Sequence, residues 1–192
     1  MDPYDLTIPQ MAGPEPVFDE VTHAFLCNCR DELLERCRRG GLLECADLGR
    51  DAPWLWRLTF KTRGLLRDGD GEPRVVERHV VALRILPDYL RRADRFEMLA
   101  LVDPGNAFHP NLSPPGVCVQ IRPGESLVEI CESLHALFSW RLRQLQENDA
   151  LNRAACAWGR AHVDELPIDR RPLFGRALKL TLEPVEEKPC ER

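Results

Sequence analysis

No helix or strand of ordinary length can run through the segment from Asp103 to Pro123. It carries Pro104, Gly105, Pro110, Pro114, Pro115, Gly116 and Pro123 within one short stretch. Each proline fixes φ and removes a backbone donor, and each glycine weakens a regular element. The chain is therefore split in two, and each side is organised separately. A long irregular stretch inside a compact domain is commonly functional, so this segment is also the first place to look for chemistry.

On the N-terminal side, Val17, Val21, Ala24, Phe25, Leu33, Leu34 and Cys37 recur at three- and four-residue intervals, predicting a helix from Val17 to Arg39 that stops at Gly40-Gly41. Strand patterns follow. Trp54, Trp56, Leu58 and Phe60 alternate on one face, Asp68-Gly-Asp-Gly71 reads as a turn, and Val75–Leu86 and Phe96–Val102 complete the set. The connections are short, which favours an antiparallel meander over β-α-β crossovers.

Helix returns after the interruption. Ser126 and Glu129 have the spacing of a capping box, and Leu127, Ile130, Leu134, Leu137, Phe138 and Leu145 supply an apolar stripe. Asn148-Asp149 is placed to cap a further helix through about Val163, with Leu151, Ala154, Ala155 and Trp158 inward. The stretch from Pro167 to Leu182 is mixed and receives no assignment. The expected class is α+β: an N-terminal helix, an antiparallel meander sheet of three or four strands, and C-terminal helices. Residues 1–16 read as a flexible lead, 17–182 as one domain and 183–192 as a charged tail.

A chain of 192 residues is long enough for one full core and short for two. A net charge of −5 gives no general electrostatic reason to coat nucleic acid, although a local basic patch stays compatible with it. No leader is expected at the acidic, proline-rich N-terminus, and no apolar run approaches the roughly 20 residues needed to span a bilayer. These features point to a cytoplasmic protein with no membrane partner. Arginine outnumbers lysine 23 to three, the lysines being Lys61, Lys179 and Lys188. A GC-rich bacterial genome would produce that bias, and a protein handling lysine-reactive thioesters would gain few self-modification sites from it.

Eight cysteines without a leader argue against a disulfide framework. Cys27, Cys29, Cys37 and Cys45 raise the question of zinc. A C-x-C pair in a helix points its thiols to different faces, unlike a zinc knuckle, so no metal is expected. His23, His79, His135 and His162 form no motif.

The irregular segment reads Phe108-His109-Pro110-Asn111-Leu112-Ser-Pro-Pro-Gly116-Val117-Cys118-Val119. Here the chain resembles the ubiquitin-conjugating enzymes, which carry a His-Pro-Asn tripeptide followed by a small-apolar-Cys catalytic position. His109, Pro110 and Asn111 match the tripeptide, and Gly116, Val117 and Cys118 match the cysteine site. Leu86-Pro87-Asp88-Tyr89 is similar to the family's Pro-x-Tyr turn, and Asp149-Ala-Leu-Asn152 to its acidic loop. The resemblance covers roughly residues 17–163. It departs from the family in a tripeptide-to-cysteine spacing one residue short, in Leu90 where a proline usually follows the tyrosine, and in the absence of a tryptophan after the cysteine. Those departures resemble the divergent bacterial members, encoded beside an activating enzyme, a ubiquitin-like protein and a deconjugating peptidase. For such members the family implies a role in defence against phage.

The resemblance implies a transferase that accepts a ubiquitin-like protein from a ubiquitin-activating-like enzyme as a thioester on Cys118. It then passes the modifier to an amine, on a protein target or elsewhere. No metal or small cofactor is implied, because the partner that activates the carboxylate consumes the ATP. The residue types suit the chemistry: a thiolate is both nucleophile and leaving group. The Asn111 amide is the candidate oxyanion donor. Asp149 is the candidate to orient the incoming amine and take its proton. His109, with Pro110, is expected to hold the loop rather than to act as a base. Blander readings stand beside these: Cys118 as a small packed residue, Asn111 as a turn residue, Asp149 as a helix cap. Two other functions stay open, a non-catalytic adaptor for a ubiquitin-like protein and a thiol hydrolase.

Overall fold

The computed structural model describes residues 14–175. The lead up to residue 13 and everything from residue 176, including Lys179 and the charged tail with Lys188 and Cys190, lie outside the described residues.

Helix α1 spans Glu20–Arg38 and starts where Asp19 Oδ1 accepts the Thr22 N–H at 2.8 Å. It buries Thr22, Leu26, Cys29 and Leu33, while Val17 and Val21 are 90% and 70% exposed and Ala24 is also on the surface. The expected stripe is thus turned by about one residue. Adjacent apolar residues at 24–26 and 33–34 fit two stripes equally well, and packing selects the one that puts the leucines inward.

The sheet has the order β1-β2-β5-β6 and is antiparallel throughout. Its strands are β1 (Leu43–Asp47), β2 (Leu55–Phe60), β5 (His79–Arg84) and β6 (Leu99–Asp103). A separate hairpin, β3 (Gly64–Leu66) with β4 (Arg74–Val76), turns at Asp68–Gly71, where the Gly71 N–H donates to the Asp68 carbonyl. Trp54, Trp56, Leu58 and Phe60 are all buried, as their alternation predicts. Strand β1 has no counterpart in the sequence reading, because Leu-Glu-Cys-Ala-Asp lacks clean alternation.

Two expectations need correction here. The stretch Val75–Leu86 divides into β4 and β5, which belong to different sheets. The stretch Phe96–Val102 is not one strand: Arg95–Met98 form a short helix, α2, because the Asp94 carboxylate accepts the Phe96 N–H at 2.9 Å and caps it, leaving Phe96 53% exposed.

Helix α3 spans Leu127–Phe138 and carries the reciprocal Ser126–Glu129 capping box. It ends earlier than its stripe predicts. Trp140 adopts a positive φ of 57°, which turns the chain away and leaves Leu145 beyond the helix. Helix α4 spans Arg153–Ala161, and its cap is Asn152, whose Oδ1 accepts the Ala155 N–H at 3.0 Å. Asp149 is therefore not a cap for this helix; it sits in a separate 3₁₀ turn, Glu147–Asp149. With the later start, Ala155, Cys156 and Gly159 face inward, while Leu151 and Ala154 are exposed.

Helices α1 and α3 pack against one another and share the main core with the sheet. A second, smaller cluster joins Leu65, Phe108, Trp140, Ala155 and Leu166. The segment after it is fastened by Asp169, which is fully buried. Its carboxylate accepts from Thr62 Oγ1 at 3.1 Å, from the Arg63 N–H at 3.2 Å and from Arg171 Nη2 at 2.6 Å. The Arg171 hydrogen bond holds this carboxyl far below the usual carboxylate range. Among the described residues, no helix is long and apolar enough to cross a membrane.

Candidate active site

The irregular segment is held by a two-residue hairpin, β7 (Leu112–Ser113) with β8 (Gly116–Val117), turning through Pro114-Pro115. Leu112 and Val117 enter the main core, and the Leu101 N–H donates to the Pro115 carbonyl at 2.8 Å, fixing the hairpin beside β6. The hairpin is tight at Gly116, where a Cβ would lie 3.0 Å from the Ser113 carbonyl oxygen and force that carbonyl to shift slightly.

Cys118 follows the hairpin directly. Its neighbours Val117 and Val119 are buried, and Cys118 itself is half-buried, as alternation along an extended segment requires. Its N–H donates to the Asn111 carbonyl at 2.8 Å, and its own carbonyl accepts from Asn111 Nδ2 at 3.2 Å. The Cys118 backbone is thus clasped by the backbone and the side chain of Asn111.

The orientation of the Asn111 amide is determined by its partners. The Gln144 N–H can only donate, and it meets Oδ1 at 2.8 Å. Nδ2 therefore faces Cys118. An amide nitrogen carries two hydrogens, and the Cys118 carbonyl takes one of them.

His109 is almost fully buried, with its ring edge-on to Trp140 at a centroid distance of 4.6 Å. Its Nδ1 accepts the Asn111 N–H at 3.0 Å, so the proton of the neutral ring sits on Nε2. That N–H leans toward the Leu142 backbone but makes no hydrogen bond within ordinary geometry. Burial lowers the His109 pKa to about 3, and His79 and Arg143 press it in the same direction. The ring is neutral at physiological pH, and its one basic nitrogen is occupied by a backbone amide. Pro110 is buried too, and its carbonyl accepts the Asn152 N–H at 3.1 Å, docking the start of α4 on the tripeptide.

Tyr89 braces the other flank. It is completely buried, donates from its hydroxyl to the Glu125 carbonyl at 2.6 Å, and accepts the Gly124 N–H on its own carbonyl. Burial pushes its phenol pKa well up. The 86–89 turn and the segment between Cys118 and α3 are joined in this way.

Cys118, Asn111 and His109 therefore form one hydrogen-bonded unit, and Pro110 ties it to the start of α4. Asp149 is not bonded into it. Its carboxylate is exposed and makes no hydrogen bond or ion pair with a described residue, and it lies three positions before the Asn152 amide that docks on Pro110. Sequence reasoning missed Gln144, Trp140 and Asn152 as parts of the site. Gln144 and Asn152 contribute backbone amides, which no side-chain pattern reveals. Of the other described cysteines, Cys29, Cys131 and Cys156 are buried, and no group of three His, Cys, Asp or Glu side chains among the described residues is arranged to hold a metal.

No protein-family model matches this sequence, and no curated protein matches it significantly.

Proposed function

We propose that this protein is a ubiquitin-conjugating-type transferase with a ubiquitin-conjugating-like α+β fold, acting in a bacterial ubiquitination-like pathway of the antiphage kind. One observation carries it: a half-buried cysteine whose backbone is clasped to an asparagine of fixed amide orientation, with a second Nδ2 hydrogen left over on that asparagine.

In the first step the Cys118 thiolate attacks the thioester carbonyl of the modifier on its activating enzyme and displaces that enzyme's thiolate. One thioester replaces another, so the step is near balance and needs mainly access. In the second step a neutral amine attacks the new thioester. The carbonyl oxygen becomes an oxyanion, the Cys118 thiolate leaves, the amine loses a proton, and an amide remains. Asn111 supplies the oxyanion donor through its remaining N–H. Asp149, with a free carboxylate, orients the amine and receives the proton. His109 and Pro110 hold the loop. A hydrolase reading is disfavoured, since it needs a base on the thiol and the one basic nitrogen of His109 is already engaged.

The experiment is a charging reaction with the activating enzyme, ATP and the ubiquitin-like protein. The expected product is an adduct stable without reductant and lost on adding thiol, with Cys118→Ser giving a thiol-resistant ester. Adduct formation that persists in Cys118→Ala overturns the proposal. Binding of the modifier without any adduct assigns the protein as an adaptor instead.

A further inference from the structure

We propose that Cys37 and Cys45 form a reversible dithiol–disulfide site, a modification site separate from Cys118 and independent of the function proposed for it. Their Sγ atoms lie 3.4 Å apart in S–H···S contact, one in the last turn of α1 and the other in the edge strand β1. Both side chains are half-buried, so neither is sealed from a small reagent. Bonding distance is about 2.05 Å, so the sulfurs need to close by roughly 1.4 Å. The turn that brings them together depends on Gly40 and Gly41, whose φ of 78° and 138° other residues rarely adopt.

The sulfurs are also chemically unequal. In the neutral pair the Cys45 S–H donates to Cys37; once Cys45 ionises the Cys37 S–H donates back to it, lowering the Cys45 pKa and raising that of Cys37, where the C-terminal end of α1 already disfavours a thiolate. Cys45 is then the attacking sulfur and Cys37 the resolving one. With a low-molecular-weight disulfide of the glutathione type as oxidant, the Cys45 thiolate attacks one sulfur of the reagent and releases one thiol. Cys37 then gives up its proton and attacks Cys45 in the mixed disulfide, releasing the second thiol. Two protein thiols are oxidised and one reagent disulfide is reduced to two thiols. Cys131 lies close to both sulfurs but is completely buried, and burial raises its thiol pKa, so it stays reduced.

The bond would fasten α1 to β1 across the turn on which the 173–175 segment rests. There the Leu42 N–H donates to the Leu173 carbonyl at 2.8 Å and the Gly175 N–H to the Gly40 carbonyl at 2.6 Å. The reduced full-length protein should be equilibrated against graded ratios of glutathione and its disulfide, quenched by alkylation and mapped by peptide mass spectrometry. The expected result is a Cys37–Cys45 linkage that closes at more reducing ratios than any mixed disulfide on Cys118 or Cys27, and that opens with dithiothreitol. Cys37→Ser should convert it to a mixed disulfide on Cys45. Cys37 and Cys45 recovered as free thiols at every ratio, or linked instead to Cys131 or Cys29, would overturn the proposal in the wild-type protein itself, whatever the variant does.

Discussion

Replacing Asn111 by alanine separates clamping from catalysis. The change removes two hydrogen bonds, Nδ2 to the Cys118 carbonyl and the Gln144 N–H to Oδ1. Each is worth about 0.5–1.5 kcal/mol net, and the site is half-buried, so water replaces part of what is lost. The expected destabilisation is about 1–3 kcal/mol, a fall in melting temperature of roughly 2–12 °C for a chain of this size. The fold survives, because Leu112, Val117 and the His109 ring stay packed. Charging should fall no more than a few-fold. On the proposed function discharge loses an oxyanion donor and should slow on the order of 100- to 1000-fold, about 3–4 kcal/mol. The assay is single-turnover release of the pre-formed thioester into free lysine, run beside a thermal melt. Asn111→Asp is the informative partner: its carboxylate still accepts from Gln144, yet it presents an oxygen to the Cys118 carbonyl where a donor belongs. It should discharge as slowly as alanine. A melting temperature lowered as calculated, with discharge at the wild-type rate, would refute the oxyanion role and leave Asn111 as a clasp alone.

Asp149→Ala should leave stability within about 0.5 kcal/mol, since the carboxylate is exposed and unbonded, and should slow discharge about 100-fold; Asn152→Ala should instead cost about 1 kcal/mol as a lost cap, and an Asp149 variant that melts like it would restore the capping role. Burial lowers His79 and His135 to about 4 and His109 to about 3, all below the unfolded value of 6.5. Depressed histidines bind fewer protons folded than unfolded, so stability is full above pH 6.5 and falls as the pH drops toward 4. The limiting slope is up to three protons, roughly 4 kcal/mol per pH unit, and a urea midpoint that stays flat from pH 6.5 to 4.5 would exclude it. Asp169→Ala strands the Thr62 hydroxyl and the Arg63 N–H and should destabilise by about 2–4 kcal/mol, read by denaturant melts; a loss under 1 kcal/mol would show that the segment is held by its apolar residues.

The parts of the fold legible in the sequence are those where one local pattern has one outcome. Trp54 to Phe60 alternates cleanly and is a strand; Ser126 and Glu129 sit at the one spacing that makes a capping box. The failures came where two local rules competed. Phe96 and Leu99 read as one strand until Asp94 is seen to cap a helical turn between them. Asp149 and Asn152 are both good caps three residues apart, and only the docking of Asn152 on Pro110 decides between them. At the candidate site the sequence yields the side chains and misses the frame, because backbone amides carry no residue signature.

The frame explains how a segment so poor in regular structure holds a defined geometry. Its backbone groups are paired one by one: Phe108 N–H to the Leu65 carbonyl, Leu112 N–H to His109, Cys118 N–H to Asn111, with the Pro110 carbonyl taken by Asn152. The Leu112 and Cys118 bonds fold the loop on itself, while the Phe108 and Pro110 bonds tie it to β3 and to the start of α4, which meet in the small cluster of Leu65, Phe108, Trp140 and Ala155. His109 is the junction, with one ring nitrogen on the Asn111 amide and its ring edge on Trp140. A histidine serves there because it is flat enough to pack on indole and still accepts a hydrogen bond when neutral. Phenylalanine would keep the packing and lose the acceptor, stranding the Asn111 N–H. The second cluster is therefore what keeps Asn111 and Cys118 in register, and softening it at a distance, for example with Leu166→Ala, should impair the site before it unfolds the main core.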